Sequence, residues 1–410
     1  MSNLSHRKAA ARVRILRADG SPAAHADVTF DQTSHDFLFG CGGFEALALL
    51  AETDEARRAF IQERLDRWLG LFNYATLPFY WGRFEPEEGH PMTEPTLAAA
   101  RWFRERGVTL KGHPLCWHTV CADWLMKYPD EVILDKQLAR IHREVADFRG
   151  VIDLWDVINE VVIMPVFDKY DNAVTRLCKR YGRVGLVKRV FDAAVESNPG
   201  GAFLINDFNV SPDYERLLEA LLEAGVPITA IGIQSHQHQG YWGLEKLEDV
   251  LERFGRFGLP IHFTENTILS GALTPPEYDD LNDYAPSPWP STPEGEARQA
   301  GQVAEFYTAL FAHPLVEAIT NWSFTDDGWL EAPGGLLAKD NRPKPAYFAL
   351  MDLIHGAWET HVTLRADGDG WATLEGFRGD YAVRAQGGSA RLGLHGKDDP
   401  VTLRLEQDRG

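Results

Sequence analysis

Cysteine is scarce in this chain, and what there is lies scattered. Four residues in 410, Cys41, Cys116, Cys121 and Cys178, are too few for a disulfide framework and form no paired zinc-ligand spacing. They are expected to be reduced and structural. No apolar run is long enough to span a bilayer, and none follows the opening Met1-Ser2-Asn3-Leu4-Ser5-His6-Arg7-Lys8 as a secretion signal requires. The expectation is a cytoplasmic location with no membrane partner. Positive charge is in short supply too: 41 Lys and Arg against 60 Asp and Glu leave a formal net charge of −19. Such a surface repels phosphate backbones and anionic lipids, so nucleic acid is excluded as an expected partner. A glycine-rich phosphate loop is wanting as well, since Phe39-Gly40-Cys41-Gly42-Gly43 imitates one only weakly.

What is present is ordinary globular composition, 44% hydrophobic and 25% charged, in a chain long enough for a barrel and an accessory module. The 12 Trp and 12 Tyr offer flat faces of the kind that pack on sugar rings, although core packing claims most such residues. Residues 1–35 read as an N-terminal β-hairpin: Ala11 to Arg17 alternate, Ala18-Asp19-Gly20-Ser21-Pro22 is turn chemistry, and Ala26 to Gln32 resume strand character.

A different rhythm follows. Eight short apolar runs occur at Phe37–Cys41, Tyr74–Trp81, Thr109–Trp117, Ile152–Glu160, Ala202–Asn209, Ala230–His236, Pro260–Asn266 and Ala318–Phe324. Amphipathic segments lie between them, among them Asp54–Leu69, Pro129–Asp147, Gly185–Ser197, Tyr214–Ala224 and Leu247–Phe257. Eight βα units of this size predict an α/β fold, a (β/α)8 TIM barrel over residues 36–356, with an open doubly wound sheet as runner-up. Residues 357–410 change to short alternating strands between Gly and Asp turns. They predict a small accessory β domain that the N-terminal hairpin completes. The Pro-, Asp- and Ser-rich stretch Thr274–Glu296 reads as a long loop after the seventh strand, on the face where barrel active sites form.

The fourth run ends Trp155-Asp156-Val157-Ile158-Asn159-Glu160, and the seventh ends Ile261-His262-Phe263-Thr264-Glu265-Asn266. Each sets a Glu at the C-terminal end of a strand, three strands apart, where the two can face each other across the barrel mouth. A carboxylate there is costly unless solvated or used. Paired carboxyls are the equipment of glycoside cleavage: one protonates the leaving oxygen, and the other attacks the anomeric carbon.

The neighbouring residues carry a resemblance. Gly112-His113-Pro114-Leu115-Cys116-Trp117-His118 with Asp123-Trp124-Leu125 resembles the third-strand motif of glycoside hydrolase family 10, the endo-β-1,4-xylanases. Trp155 to Glu160 is similar to that family's acid/base motif, Asn206-Asp207-Phe208-Asn209 to its fifth strand, and Ile231-Gly232-Ile233-Gln234-Ser235-His236 to its sixth. Thr264-Glu265 resembles its nucleophile motif. Trp322 and Trp329 resemble its eighth-strand tryptophans, and Pro343-Lys344-Pro345-Ala346-Tyr347 its closing segment. The motifs run in family order over roughly residues 37 to 355.

The resemblance implies a retaining glycosidase acting on xylan-type polysaccharides or their oligosaccharides, with no cofactor and no metal. Glu160 is then the acid/base and Glu265 the nucleophile. Asn159 is implied to bond the sugar 2-hydroxyl, His236 to bond Glu265, and Gln234 to bond the sugar or Glu160. His113 and Trp117 line the nearest sugar site, with Trp322 and Trp329 as walls and Tyr80 beside them. Two departures stand out. Asn266 follows the nucleophile where the family has an apolar residue. The second run, Thr76-Leu77-Pro78-Phe79-Tyr80-Trp81, lacks the Glu, Asn and Lys with which the family holds the next sugar. Weak action on plain xylan is therefore expected. The alternatives are a metal-dependent amidohydrolase barrel, suggested by His236-Gln237-His238, and a carbohydrate-binding pseudoenzyme.

Overall fold

A computed structural model of the chain describes residues 4–284, 286–326, 328–396 and 400–407. Residues 1–3 of the N-terminal segment, and 397–399 and 408–410 of the C-terminal one, lie outside the described residues. The chain opens with β1 (Lys8–Leu16) and β2 (Asp27–Gln32). It continues through β3 (Leu38–Gly42), β4 (Tyr74–Pro78), β5 (Thr109–His113), β6 (Leu154–Asn159), β7 (Ala202–Asp207), β8 (Ala230–Gln237), β9 (Ile261–Ile268) and β10 (Val316–Asn321). It closes with β11 (His361–Arg365), β12 (Trp371–Phe377), β13 (Gly379–Ala385), β14 (Gly388–Leu394), β15 (Val401–Arg404) and β16 (Glu406–Gln407). Two compact units result: residues 39–347, and residues 1–38 with 348–410.

The larger unit is the (β/α)8 barrel. Strands β3 to β10 close on themselves in chain order, one strand for each apolar run in the sequence. Both faces of these strands are buried; β9 is buried at every position, as a strand under a helical layer must be. Gly112 shows how closely the strands approach, since a Cβ there would lie 2.1 Å from the Trp155 ring. The outer helices bury apolar stripes. In Gly243–Gly255 these are Leu247, Val250, Leu251 and Phe254. One helix starts at Ala173, well before Gly185, because the non-helical Gly182 (φ +71°) interrupts the periodicity that the sequence offers. The loop after β9 ends at Thr292, whose hydroxyl accepts from Gly295 N–H and caps helix Pro293–Ala312.

The smaller unit holds two sheets, ordered β12-β1-β15 and β11-β2-β13-β14-β16. β1 and β2 therefore do not pair as a hairpin, which corrects the reading of residues 1–35. The segment between them carries the chain from one sheet to the other. Val13 and Ile15 of β1 and Val28 and Phe30 of β2 then share one core. That arrangement buries far more apolar surface than an isolated hairpin can. All four cysteines are free, and among the described residues no helix is long and apolar enough to cross a membrane.

Candidate active site

At the C-terminal ends of the barrel strands lies a cavity of about 740 Å³. All ten residues singled out from the sequence line it: Glu160 and Glu265 with Tyr80, His113, Trp117, Asn159, Gln234, His236, Trp322 and Trp329. Backbone irregularities aim the two glutamates. The β6–β7 register shifts between Asp156 and Ile158, and the β8–β9 register between Ile233 and Gln234, bulges that re-aim side chains at the barrel rim. Glu160 itself stands just past β6 with φ +58°, a left-handed conformation that Glu rarely takes, held by its N–H to Asn206 O at 2.8 Å.

The carboxyls have opposite surroundings. Glu160 Oε2 accepts from Trp117 Nε1 at 2.8 Å, and Oε1 from Gln234 Nε2 at 3.2 Å and Asn159 Nδ2 at 3.3 Å. Burial, with the negative charges of Glu265 and Asp207 behind it, pushes the Glu160 carboxyl up to about 8. Glu265 is buried too, and burial alone would raise it. The hydrogen bond from His236 Nε2 to Oε2 at 3.1 Å, with the positive fields of His113, His236 and Lys111, outweighs that and holds it below its usual range. One glutamate thus favours the protonated form and the other the ionised form.

Asn206 joins them. Its Nδ2 donates to Glu265 Oε1 and to Asn159 Oδ1, both at 2.9 Å, while Thr264 Oγ1 donates to its Oδ1 at 2.5 Å. Gln234 Nε2 also reaches Asn159 Oδ1 at 3.1 Å. Gly232 makes room for this node: a Cβ there would lie 2.6 Å from Asn206 Oδ1 and 3.0 Å from the Ile205 carbonyl. Gly232→Ala is expected to displace Asn206 and loosen Glu265. Losing one or two hydrogen bonds to a charged group lowers kcat/KM about ten- to a thousand-fold. Steady-state kinetics check this, with circular dichroism showing that the fold persists.

Beneath the site lies a buried ionic group. Asp156 Oδ2 stands 2.7 Å from both Lys111 Nζ and His113 Nδ1, with every partner at most 1% exposed. His113 presents its other nitrogen toward Glu265 Oε1 at 3.9 Å. Trp329 lies against the His236 ring at a 4.3 Å centroid distance, and Tyr80 meets His113 edge-on at 5.8 Å. Phe79 does not belong to the site. It is fully buried among Phe84, Phe148 and Trp155, so of the second run only Tyr80 reaches the cavity wall. Sequence reasoning passed over Asn206, Asp156 and Lys111. It also passed over His118, which lies 4.0 Å from Glu160 Oε2 and which burial pushes down to about 4, hence neutral.

His236 is committed to Glu265 and Thr267, and His238 packs beside it against Trp289 and Trp329. Among the described residues no group of three His, Cys, Asp or Glu side chains is placed to hold an ion.

The sequence profile described as Glycosyl hydrolase family 10 matches residues 79–353, more than half of the chain. An endo-1,4-beta-xylanase/feruloyl esterase of Xylanibacter ruminicola is 27% identical over 307 residues, 68% of this chain but 40% of that protein. Endo-1,4-beta-xylanase B of Thermotoga neapolitana is 27% identical over 294 residues, 67% of this chain and 78% of its own length. The chain therefore matches less than half the length of the first of these relatives. The native xylanase 10B of Thermotoga maritima superposes with a TM-score of 0.63, over 78% of this chain and 96% of its own, at 22% identity, a likeness of fold. The profile runs across both glutamates and the strands that bear them, which removes the amidohydrolase alternative: this chain belongs to glycosyl hydrolase family 10.

Proposed function

We propose that this protein hydrolyses β-1,4 bonds in xylan-type oligosaccharides by double displacement with retention of configuration. The observation that carries this reading is two carboxyls in one cavity with opposed surroundings, Glu160 held by the uncharged donors Trp117 and Gln234 and Glu265 bonded to His236. Glu160, protonated, gives its proton to the glycosidic oxygen as the anomeric C–O bond breaks. Glu265, ionised, forms the new bond to the anomeric carbon. Glu160, now a carboxylate, takes a proton from the incoming water, which displaces Glu265 and restores both groups. The chemistry asks for no cofactor.

Proton NMR of the first-formed sugar checks the stereochemistry. Retention is expected, and an initially inverted anomer overturns the role of Glu265. The pH profile gives a second readout. Activity needs Glu160 protonated, so kcat/KM falls as pH rises through about 8. It needs Glu265 ionised, so the acid limb lies below the ordinary carboxylate range. An enzyme equally active well above that basic limb would remove Glu160 as the acid. Complete inactivity on aryl glycosides and oligosaccharides alike would favour a binding-only protein.

A further inference from the structure

The cavity is not an open groove on all sides. Lys169, in the loop after β6, places its Nζ 2.6 Å from Asp280 Oδ2 and 2.8 Å from Asp283 Oδ1, both in the loop after β9. In the barrel, β7 and β8 stand between those two strands. The ion pair therefore runs along the same chord as Glu160 and Glu265, and Lys169 and Asp280 line the same cavity. On the β7–β8 side of that chord the cavity is walled by Phe208, Val210, Tyr241 and Trp242. The two loops are anchored from below. Phe167 lies on His118 at a 4.5 Å centroid distance, and Gln239 Nε2 donates to the Tyr278 carbonyl at 2.8 Å and the Pro275 carbonyl at 3.2 Å. The exposed apolar Val166 and Phe208 line the same cavity. The volume, about 740 Å³, falls in the ~300–1,000 Å³ range of small-ligand pockets.

We propose that the Lys169–Asp280–Asp283 strap determines specificity: it ends the cleft on the β7–β8 side, so the protein takes short oligosaccharides or chain ends there and excludes the interior of a long chain. This rests on the glycosidase reading above. A polymer bound across Glu160 and Glu265 must extend both ways, and the strap stands in one of those paths. A trimer or a chain end need not pass it. All three charged side chains are partly solvated, 39%, 32% and 58% exposed, so the strap yields to one charge reversal and to salt.

The test is the ratio of kcat/KM on soluble unsubstituted xylan to that on xylotriose, with viscosity loss followed in parallel. The wild type should release small sugars with little early loss of viscosity. Lys169→Glu should raise the ratio roughly three- to thirty-fold, the bias two surface ion pairs can exert. Lys169→Glu combined with Asp280→Lys and Asp283→Lys should return the ratio to the wild-type value, which a merely misfolded loop would not do. Cleavage of xylotriose with a ratio indifferent to charge reversal sinks the strap alone, as does rapid internal cutting of xylan by the wild type. Failure of the wild type to cleave xylotriose or any aryl glycoside sinks the glycosidase reading and the strap with it.

Discussion

Glu265→Ala is expected to lose turnover on every substrate, by about 10⁴-fold or more, since removing a nucleophile takes the covalent route away altogether. Glu160→Ala should behave differently. On an oligosaccharide, whose leaving oxygen needs a proton, the loss should be about 10²–10⁴-fold, the usual contribution of a general acid. On an aryl glycoside with an acidic leaving phenol, the intermediate should still form on Glu265 and then wait for a base. Azide needs no base, so it should restore turnover in Glu160→Ala and yield a glycosyl azide of unchanged configuration. In Glu265→Ala azide attacks the free sugar face directly and the product is inverted. Product NMR for the two variants separates these outcomes; rescue with inversion in Glu160→Ala would exchange the two roles.

Asp156→Asn should cost more stability than any other single change at the site. It leaves Lys111, with no exposed surface, as an uncompensated buried charge, a loss of about 3–5 kcal/mol. For a domain of this size that is a fall in Tm of roughly 5–8 °C. The double variant Asp156→Asn with Lys111→Met removes both charges and should regain part of the Tm, because no uncompensated buried charge remains. Activity should not return with it, since His113 then faces a neutral amide in place of the Asp156 carboxylate that holds its ring at 2.7 Å. Calorimetry and kinetics on the three proteins test this directly. A double variant no more stable than the single one would show that the ion pair was not the source of the loss.

The barrel was legible because every strand is a short apolar run ending in polar residues, and all eight runs became strands. Glu160 and Glu265 were legible because a carboxylate closing such a run is chemically out of place unless it is used. Asn206 was not chosen, although its motif was noted. An amide beside an acid has no one-dimensional signature, and its importance comes from bridging Asn159 and Glu265, 47 and 59 residues away. Lys111 reads as one polar residue in a strand until Asp156 is placed 2.7 Å from it. That Phe79 packs into the core was not legible, because the turn after β4 cannot be phased from sequence: one residue more or less rotates a ring from cavity to core. The same limit applies at the N-terminus. Alternation marks β1 and β2 as strands, but nothing local says that each pairs with chain more than 300 residues away.

That last pairing has a consequence during synthesis. β1 leaves the ribosome long before its neighbours β12 and β15. Roughly 350 residues must be translated in between, on the order of twenty to seventy seconds at about 5–20 residues per second. For that time Val13 and Ile15 lack the core they finally join, while the barrel strands, each pairing with the next to emerge, can assemble in order. A nascent chain stalled before Trp371 should therefore expose protease-sensitive sites in residues 4–32 while the barrel resists digestion, and the N-terminal sites should become protected once β15 is released.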